Sequence, residues 1–163
     1  MEVPGDHPKE GAGTGVIDVP PQQVIAALTD FAHYQEWVPF VERSTAEPQS
    51  DGSIVSAQSL RLPALVGRRS YKIRAVFASR RGQDGEVFEL RFRYVPGSGN
   101  IADTRGSWTV TAFAPGRSLA TCHLYTDPGN VPHWAMNGAT ERNLPWIFAG
   151  LRQQVHRDRY LHY

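Results

Sequence analysis

The chain contains a single cysteine, Cys122, and this scarcity excludes an internal disulfide. Cysteine and histidine residues also lack the spacing that holds structural zinc. The chain also lacks an excess of charge of one sign, because the net charge is +1. The longest basic runs are the pairs Arg68-Arg69 and Arg80-Arg81. A chain with so weak a field is expected to bind no nucleic acid and to make at most transient contact with a membrane.

Long apolar runs are missing as well. Residues 1–15 lack the apolar stretch of a signal peptide, and no run approaches the roughly 20 residues needed to span a bilayer. These absences predict a cytoplasmic protein. We predict a flexible N-terminal arm over residues 1–13, which are rich in proline, glycine and charge, followed by one domain over residues 14–163.

The first part of this domain predicts a short strand and two short helices. Residues 15–19 alternate as a strand does, and Pro20-Pro21 ends it while suiting the first turn of a helix. A second short helix is expected after Asp30, before Pro39. Apolar side chains recur at helical spacing through both segments: Val24, Ala27, Leu28, Phe31, Tyr34, Trp37 and Val38.

Beyond Phe40 the periodicity changes from three or four residues to two. Glycine-bearing turns separate segments that are rich in β-branched and aromatic residues. In the clearest segment, apolar side chains alternate with Glu89, Arg91 and Arg93, which predicts an antiparallel sheet with one solvated face and one aromatic face. The predicted strands lie near 40–46, 53–62, 70–79, 86–95, 105–113 and 117–126.

The C-terminal segment predicts a long helix, from Val131 to about Arg157, whose apolar stripe has polar gaps. A helix on a solid core carries apolar residues all along such a stripe. Here the members at steps of three and four are Trp134, Asn137, Gly138, Glu141, Leu144, Phe148, Leu151 and Val155. The polar gaps predict a cavity beside the middle of the helix, with a packed core at its C-terminal end.

Glu141 and Pro145 make the middle of this helix unusual. On an exposed helix face, Glu141 would be an ordinary solvated charge that could pair with Arg142 or Arg105. On the stripe it would face apolar space, where an unpaired carboxylate is costly and needs an arginine of the sheet or a hydroxyl group of a ligand as partner. Pro145 has no N–H to donate to the carbonyl of Glu141. A break between residues 140 and 143, which would give two helices, is the structural alternative.

Two segments and the order of elements resemble a known superfamily. Residues 19–24 (VPPQQV) and 28–39 (LTDFAHYQEWVP) resemble the entry into START-like and polyketide-cyclase proteins. Residues 127–134 (DPGNVPHW), with Asn137, Pro145, Leu151 and Arg152, resemble the C-terminal helix of START-related lipid-binding domains. The resemblance implies an α+β helix-grip fold, in which a curved antiparallel sheet wraps around a long C-terminal helix. It covers nearly the whole chain after about residue 14.

The resemblance also implies an apolar cavity between the sheet and that helix. Family members bind sterols, phospholipids, polyketides and other hydrophobic molecules, and some catalyse cyclisation. It carries over no catalytic residue, no cofactor and no metal. The side chains expected to contact a small hydrophobic ligand are Tyr71, Ile73, Phe88, Leu90, Phe92, Tyr94, Trp108, Val110, Trp134, Asn137, Glu141, Leu144 and Phe148.

Binding of a hydrophobic molecule is therefore the leading hypothesis, and two others stand beside it. A polyketide cyclase, aromatase or hydrolase would use the same cavity with Glu141 as acid or base. An interaction module would offer an apolar groove to a partner protein. A metal site at His123 and His133 is disfavoured, because neither forms a close histidine pair or a ligand spacing with a carboxylate. Cys122 and His123 cannot act together, since adjacent strand residues point to opposite faces.

Overall fold

The structure is a computed structural model. It describes the backbone of residues 10–62, 67–130 and 139–163, and the side chains of all of these except residues 139–141. The predicted order is confirmed: a first strand, two short helices, a series of strands and a long C-terminal helix.

The strands form one antiparallel sheet in the order β1-β8-β7-β6-β5-β4-β2, with β3 paired to β4 beside this path. They are β1 (Glu10–Ile17), β2 (Val41–Ser44), β3 (Glu47–Pro48), β4 (Ile54–Leu62), β5 (Gly67–Gly82), β6 (Gly85–Tyr94), β7 (Asp103–Ala114) and β8 (Arg117–Asp127). The helices are α1 (Pro21–Thr29), a 3-10 helix (Phe31–Glu36), α2 (Ala139–Gln154) and a C-terminal 3-10 turn (Asp158–Tyr160).

Strand register places the alternating side chains on two faces, as predicted. Cys122 pairs with both Gly13 and Trp108, and Trp108 pairs in turn with Leu90, so these four residues form a row on one face. This inner face carries the core, where Leu90 is 1% and Val110 0% exposed. Lys72, Arg91 and Arg93 lie on the outer, solvated face.

The first strand is longer than expected. It begins at Glu10, so residues 10–13, which we assigned to the flexible arm, belong to the sheet, and residues 1–9 lie outside the described chain. Gly13 and Gly15 of this strand serve close packing rather than freedom of the backbone. A Cβ atom on Gly15 would lie 2.8 Å from a guanidinium nitrogen of Arg152 and 3.0 Å from the ring of Phe148.

Helix α2 is continuous through Pro145, so the alternative of a break between residues 140 and 143 is wrong. Pro145 is exposed, which leaves its ring on the solvent side. The helix ends at Gln154 rather than near Arg157, because its last turn tightens: Val155 donates to the carbonyl four residues back, whereas His156 donates to that of Gln153, three back. The expected start at Val131 lies outside the described residues.

The tightened turn directs the chain end back onto the first helices. The hydroxyl of Tyr160, a 3% exposed residue, donates to Oδ2 of Asp30 at 2.7 Å, and Nδ1 of His33 lies 2.7 Å from the same oxygen. Arg159 pairs with both carboxylate oxygens of Glu36, at 3.0 and 3.1 Å. We call these contacts the C-terminal anchor; they fix the end of α2 to the 3-10 helix.

Candidate functional site

One part of the inner face is closely packed against α2. The described part of this helix packs mainly against β1, and its buried side includes Leu144, Phe148 and Leu151. The ring of Phe148 lies edge-on to Trp108, with 5.4 Å between ring centroids. Leu144 and Phe148 both approach Gly13 of β1, and contact of these side chains and of Trp108 with a ligand stays a prediction.

A different set of residues lines the inner face of β2, β4 and β5. Ser44 and Ser56 join their hydroxyl oxygens at 3.1 Å, and the amide nitrogen of Gln58 donates to Ser56 at 3.4 Å. The hydroxyl of Tyr71 donates to the Gln58 carbonyl oxygen at 3.3 Å. We call these four residues the polar row; their exposed fractions lie between 0% and 8%.

The remaining sheet residues of the predicted site lie between these two parts. Ile73, Phe88, Leu90 and Val110 are buried in the core, and Phe92 and Tyr94 are half-buried against it. The rings of Tyr71 and Tyr94 meet edge-on, with 6.5 Å between centroids. The hydroxyl of Tyr94 is engaged elsewhere, at 3.3 Å from both the backbone N–H and the carbonyl of Gly99. Contact of any of these side chains with a ligand stays a prediction.

Three predicted site residues fall outside what the structure describes. Trp134 and Asn137 lie in the gap between residues 130 and 139, and Glu141 is described by its backbone alone, within α2. Their expected contacts with a ligand likewise stay predictions.

The fully buried polar side chains of the described chain are neutral, whereas Arg69 lies half-buried at the inner face of β5. Every buried polar residue in those ranges carries an amide or a hydroxyl: Gln23, Ser44, Ser53, Ser56, Gln58, Thr104, Ser118 and Gln154. Burial raises the pKa of the Tyr71 hydroxyl well above its ordinary value and raises the pKa of the Cys122 thiol to about 12. Both groups are therefore protonated near neutral pH and are unsuited to act as a base or a nucleophile.

Trp37 combines a structural role with an unsatisfied polar group. Gly150 of α2 packs directly on it, since a Cβ atom there would lie 2.3 Å from the Trp37 carbonyl oxygen. The indole ring lies edge-on to Tyr34, 5.1 Å away. Yet the indole nitrogen is the one buried side-chain polar atom in the described ranges that has no hydrogen-bond partner. No pattern in the sequence indicates this unpaired donor.

An open depression of about 1180 Å³ lies on the opposite face of the sheet. Its walls include Arg74, Glu89, Arg91, Arg93 and Arg105, all of them outer-face residues. Charged walls that are open to water suit a solvated surface better than a site for an apolar molecule. We place the candidate site on the inner face for this reason.

Sequence reasoning missed three members of the polar row: Ser44, Ser56 and Gln58. A signal was present in the strand that carries two of them. Its inner-facing residues read Ile54, Ser56, Gln58 and Leu60, so the middle of the strand lacks the apolar alternation of its neighbours. A strand that pairs within the sheet and carries polar residues on both faces departs from the alternation expected of a strand packed on an apolar core.

The sequence disfavours a metal site at His123 and His133 and a membrane-spanning helix. His123 is exposed on the outer face, opposite to the buried Cys122, and His133 lies outside the described chain. Within residues 10–62, 67–130 and 139–163, no three histidine, cysteine or acidic residues converge as metal ligands do. In the same ranges, no helix has the length and apolarity required to cross a bilayer.

Solved structures share this architecture. A STAR-related lipid transfer protein from Xanthomonas axonopodis is 22% identical and has a TM-score of 0.78, with coverage of 96% of this chain and 90% of that one. Human StAR-related lipid transfer protein 5 is 16% identical, with a TM-score of 0.73 over 93% and 76% of the two chains. The Zhui aromatase/cyclase from Streptomyces sp. R1128 is 13% identical, with a TM-score of 0.67 over 91% and 93%. These likenesses confirm the helix-grip fold.

The sequence itself points to the same group. Among proteins with curated descriptions, none matches it significantly. The family model described as polyketide cyclase / dehydrase and lipid transport matches residues 12–155, which is most of the chain. The protein is a member of the polyketide cyclase / dehydrase and lipid transport family, with the START-like fold.

Proposed function

We propose that the protein binds a small hydrophobic molecule, such as a lipid, a sterol or a polyketide, between the inner face of its sheet and its C-terminal helix. The lipid-transfer proteins and the aromatase/cyclase that share its fold support this proposal. Burial of apolar ligand surface would supply the affinity, at about 25 cal/mol for each Å² removed from water.

The observation that carries the proposal is the uneven contact between the inner face and the described part of α2. The described part of α2 packs mainly against β1, at one end of the strand order. The aromatic and polar side chains of β5 and β4 lie towards the other end, where Tyr71 and Ile73 are buried without belonging to that close contact. A helix with polar gaps in its stripe, set over a partly polar sheet face, is typical of a cavity wall.

The test is native mass spectrometry of the purified protein, followed by extraction with organic solvent. We expect an apolar molecule bound to the protein, or uptake of the neutral dye Nile red. The variant Ile73→Trp fills the inner face and should lower Nile red affinity at least fivefold. Its control, Val76→Trp, places the same bulk on the exposed face of the same strand and should leave affinity unchanged. Circular dichroism checks that both variants fold.

A protein that retains nothing apolar and takes up no dye would contradict the proposal. Equal affinities of the two tryptophan variants would contradict the location of the site. Capture of a partner protein without any small molecule would favour the interaction module instead.

Cyclase or aromatase activity is the second candidate, supported by the likeness to the Zhui aromatase/cyclase. The inner-face groups with raised pKa, Tyr71 and Cys122, are protonated and cannot supply the base, so the role would fall to Glu141. The variant Glu141→Gln separates the candidates. Turnover of a polyketide-like substrate would collapse in it, whereas simple binding would survive.

A further inference from the structure

The polar row stands where a packed core would place apolar side chains. Ser56 is 0% exposed and Gln58 is 7% exposed, at the centre of the inner face of β4. Burying a hydroxyl or an amide costs free energy unless a hydrogen bond replaces its water. Close packing of the core alone therefore does not explain why four such residues lie together on three strands.

Their mutual hydrogen bonds are long and leave capacity unused. The two bonds of the Gln58 amide measure 3.3 and 3.4 Å, longer than the usual range for protein hydrogen bonds. The amide nitrogen carries two hydrogens, and one described bond engages it. The hydroxyl of Tyr71 donates to Gln58 and keeps its acceptor positions, for which the described chain provides no donor. The Gln58 amide can thus donate one further hydrogen bond, and the Tyr71 oxygen can accept one.

The four side chains of the polar row are also uncharged, which limits the kinds of ligand group that they can bind. Tyr71 stays protonated because burial raises its pKa, and the other three side chains do not titrate. The arginine nearest along β5, Arg69, directs its Nε at the carbonyl of Pro128, 3.2 Å away, and one Nη at the carbonyl of Arg68, 3.0 Å away. An anion at the row would therefore have to draw the Arg69 guanidinium away from its present partners to gain a compensating charge.

We propose that the polar row binds a neutral hydroxyl or carbonyl group at one end of an otherwise apolar ligand. The proposal rests on the proposed function and narrows the ligand class. Alcohols and ketones are selected, and carboxylates and phosphate esters are rejected. The spare N–H of Gln58 donates to the ligand oxygen, and the Tyr71 oxygen accepts from a ligand hydroxyl.

The competing explanation is a structural one, in which the row only holds β2, β4 and β5 in register. Both explanations allow changes in stability when the row is altered. They differ in one measurable respect, because a structural row has no effect on the choice between ligands that share an apolar body. The test therefore compares ligands as well as variants.

The probes are naphthalene, 2-naphthol and 2-naphthoate, titrated into the full chain at neutral pH by competition with Nile red. They share one ring system and differ in carrying no polar group, a neutral hydroxyl or a carboxylate. We expect 2-naphthol to bind about tenfold more tightly than naphthalene, the range of one good hydrogen bond. The carboxylate should bind at least tenfold more weakly than 2-naphthol.

The variants Tyr71→Phe and Gln58→Leu should each reduce the preference for 2-naphthol about three- to tenfold and leave naphthalene within twofold. The control is Ser59→Ala. Ser59 forms a hydroxyl pair with Ser70 at 3.2 Å on the exposed face, next in sequence to Gln58. The control should change neither affinity, and circular dichroism confirms the fold of each variant.

The outcomes separate the inference from the proposed function. If naphthalene and 2-naphthol bind equally, or if the preference survives in both variants, the row does not select ligands and the inference is overturned. Preferential binding of the carboxylate overturns it as well. If none of the three compounds displaces the dye and no apolar molecule is retained, the proposed function itself fails.

Discussion

The inner face of the sheet has two halves that differ in their contacts: one packs closely against α2, and the other carries the polar row. The packed half consists of β1, β8 and β7, where Gly13 and Gly15 let the ring of Phe148 approach the backbone. The polar half consists of β2, β4 and β5 with the polar row, and β6 lies between the two halves. Side chains alternate between the two faces in both halves, so the halves differ in the side chains that they present and in their contact with α2.

The contrast shows how one sheet can serve stability and recognition. In the packed half, loss of a side chain leaves a void that the rigid contacts cannot fill. In the polar half, weak hydrogen bonds among neutral groups contribute little net stability, because they replace bonds to water. We therefore expect substitutions in the first half to act on folding and those in the second to act on binding.

The largest effect is expected from Phe148→Ala. This ring lies against Trp108 and against Gly13 and Gly15 of β1, so its removal should lower the free energy of unfolding by about 3–5 kcal/mol. Urea denaturation followed by tryptophan fluorescence measures the change. A loss below about 1 kcal/mol would mean that this half is loosely packed, and the comparison would fail.

Gly15→Val tests the same contact from the side of the sheet. The new side chain would meet Arg152 and Phe148 at distances below van der Waals contact, so we expect destabilisation of about 1–3 kcal/mol. Ala12→Val, at an exposed position of the same strand, is the matched control and should change stability by less than about 0.5 kcal/mol. Equal effects at the two positions would contradict the role of the glycines.

A smaller effect is expected from the double variant Gln58→Leu/Tyr71→Phe. Replacing both partners of a buried hydrogen bond by apolar groups is often nearly neutral, whereas Gln58→Leu alone leaves the Tyr71 hydroxyl without its acceptor. The double variant should therefore unfold within about 1 kcal/mol of the original chain and be more stable than Gln58→Leu. A severe loss in the double variant would assign the row to stability.

The smallest effect concerns pH and lies on the packed side. The hydrogen bonds from Arg159, and then from Gln154, lower the pKa of Glu36 below its ordinary value of 4.5. A pKa that is lower in the folded state stabilises the protein above the unfolded-state pKa, and this contribution is lost as pH falls through the folded-state pKa.

Glu36→Gln should therefore weaken the acid-side fall in melting temperature between about pH 5 and about pH 3. Asp51, whose pKa is lowered by hydrogen bonds from Ser53, contributes equally to both proteins and cancels in the difference. Identical pH profiles would show that the C-terminal anchor contributes no pH-dependent stability.

The architecture was largely predictable because it depends on patterns that short segments carry. The alternation around Leu90 and the apolar stripe from Leu144 to Leu151 each fix a buried face, and the structure confirms both. The first strand was misjudged, since glycine and charge suggested flexibility. The packing of its glycines against Phe148 is a long-range contact that no local pattern shows.

The candidate site was predicted less completely for a related reason. Aromatic residues such as Tyr71 and Trp108 indicate which face of the sheet is the inner one. They do not indicate that this face has a packed half and a polar half, because that depends on where α2 lies over the sheet. Ser44 and Gln58 become neighbours on the inner face only when β2 pairs with β4. Single serines and glutamines are common in exposed strands, so their burial could be recognised only in three dimensions.

The C-terminal anchor restricts how the C-terminal end of α2 can separate from the elements that it packs against. Tyr160, Arg159 and Gly150 hold the last turns of α2 against the first helices by hydrogen bonds and direct van der Waals contact. A molecule passing between helix and sheet at that end would have to separate these contacts together. The anchored end of α2 is thus closed by several contacts that would have to open at once.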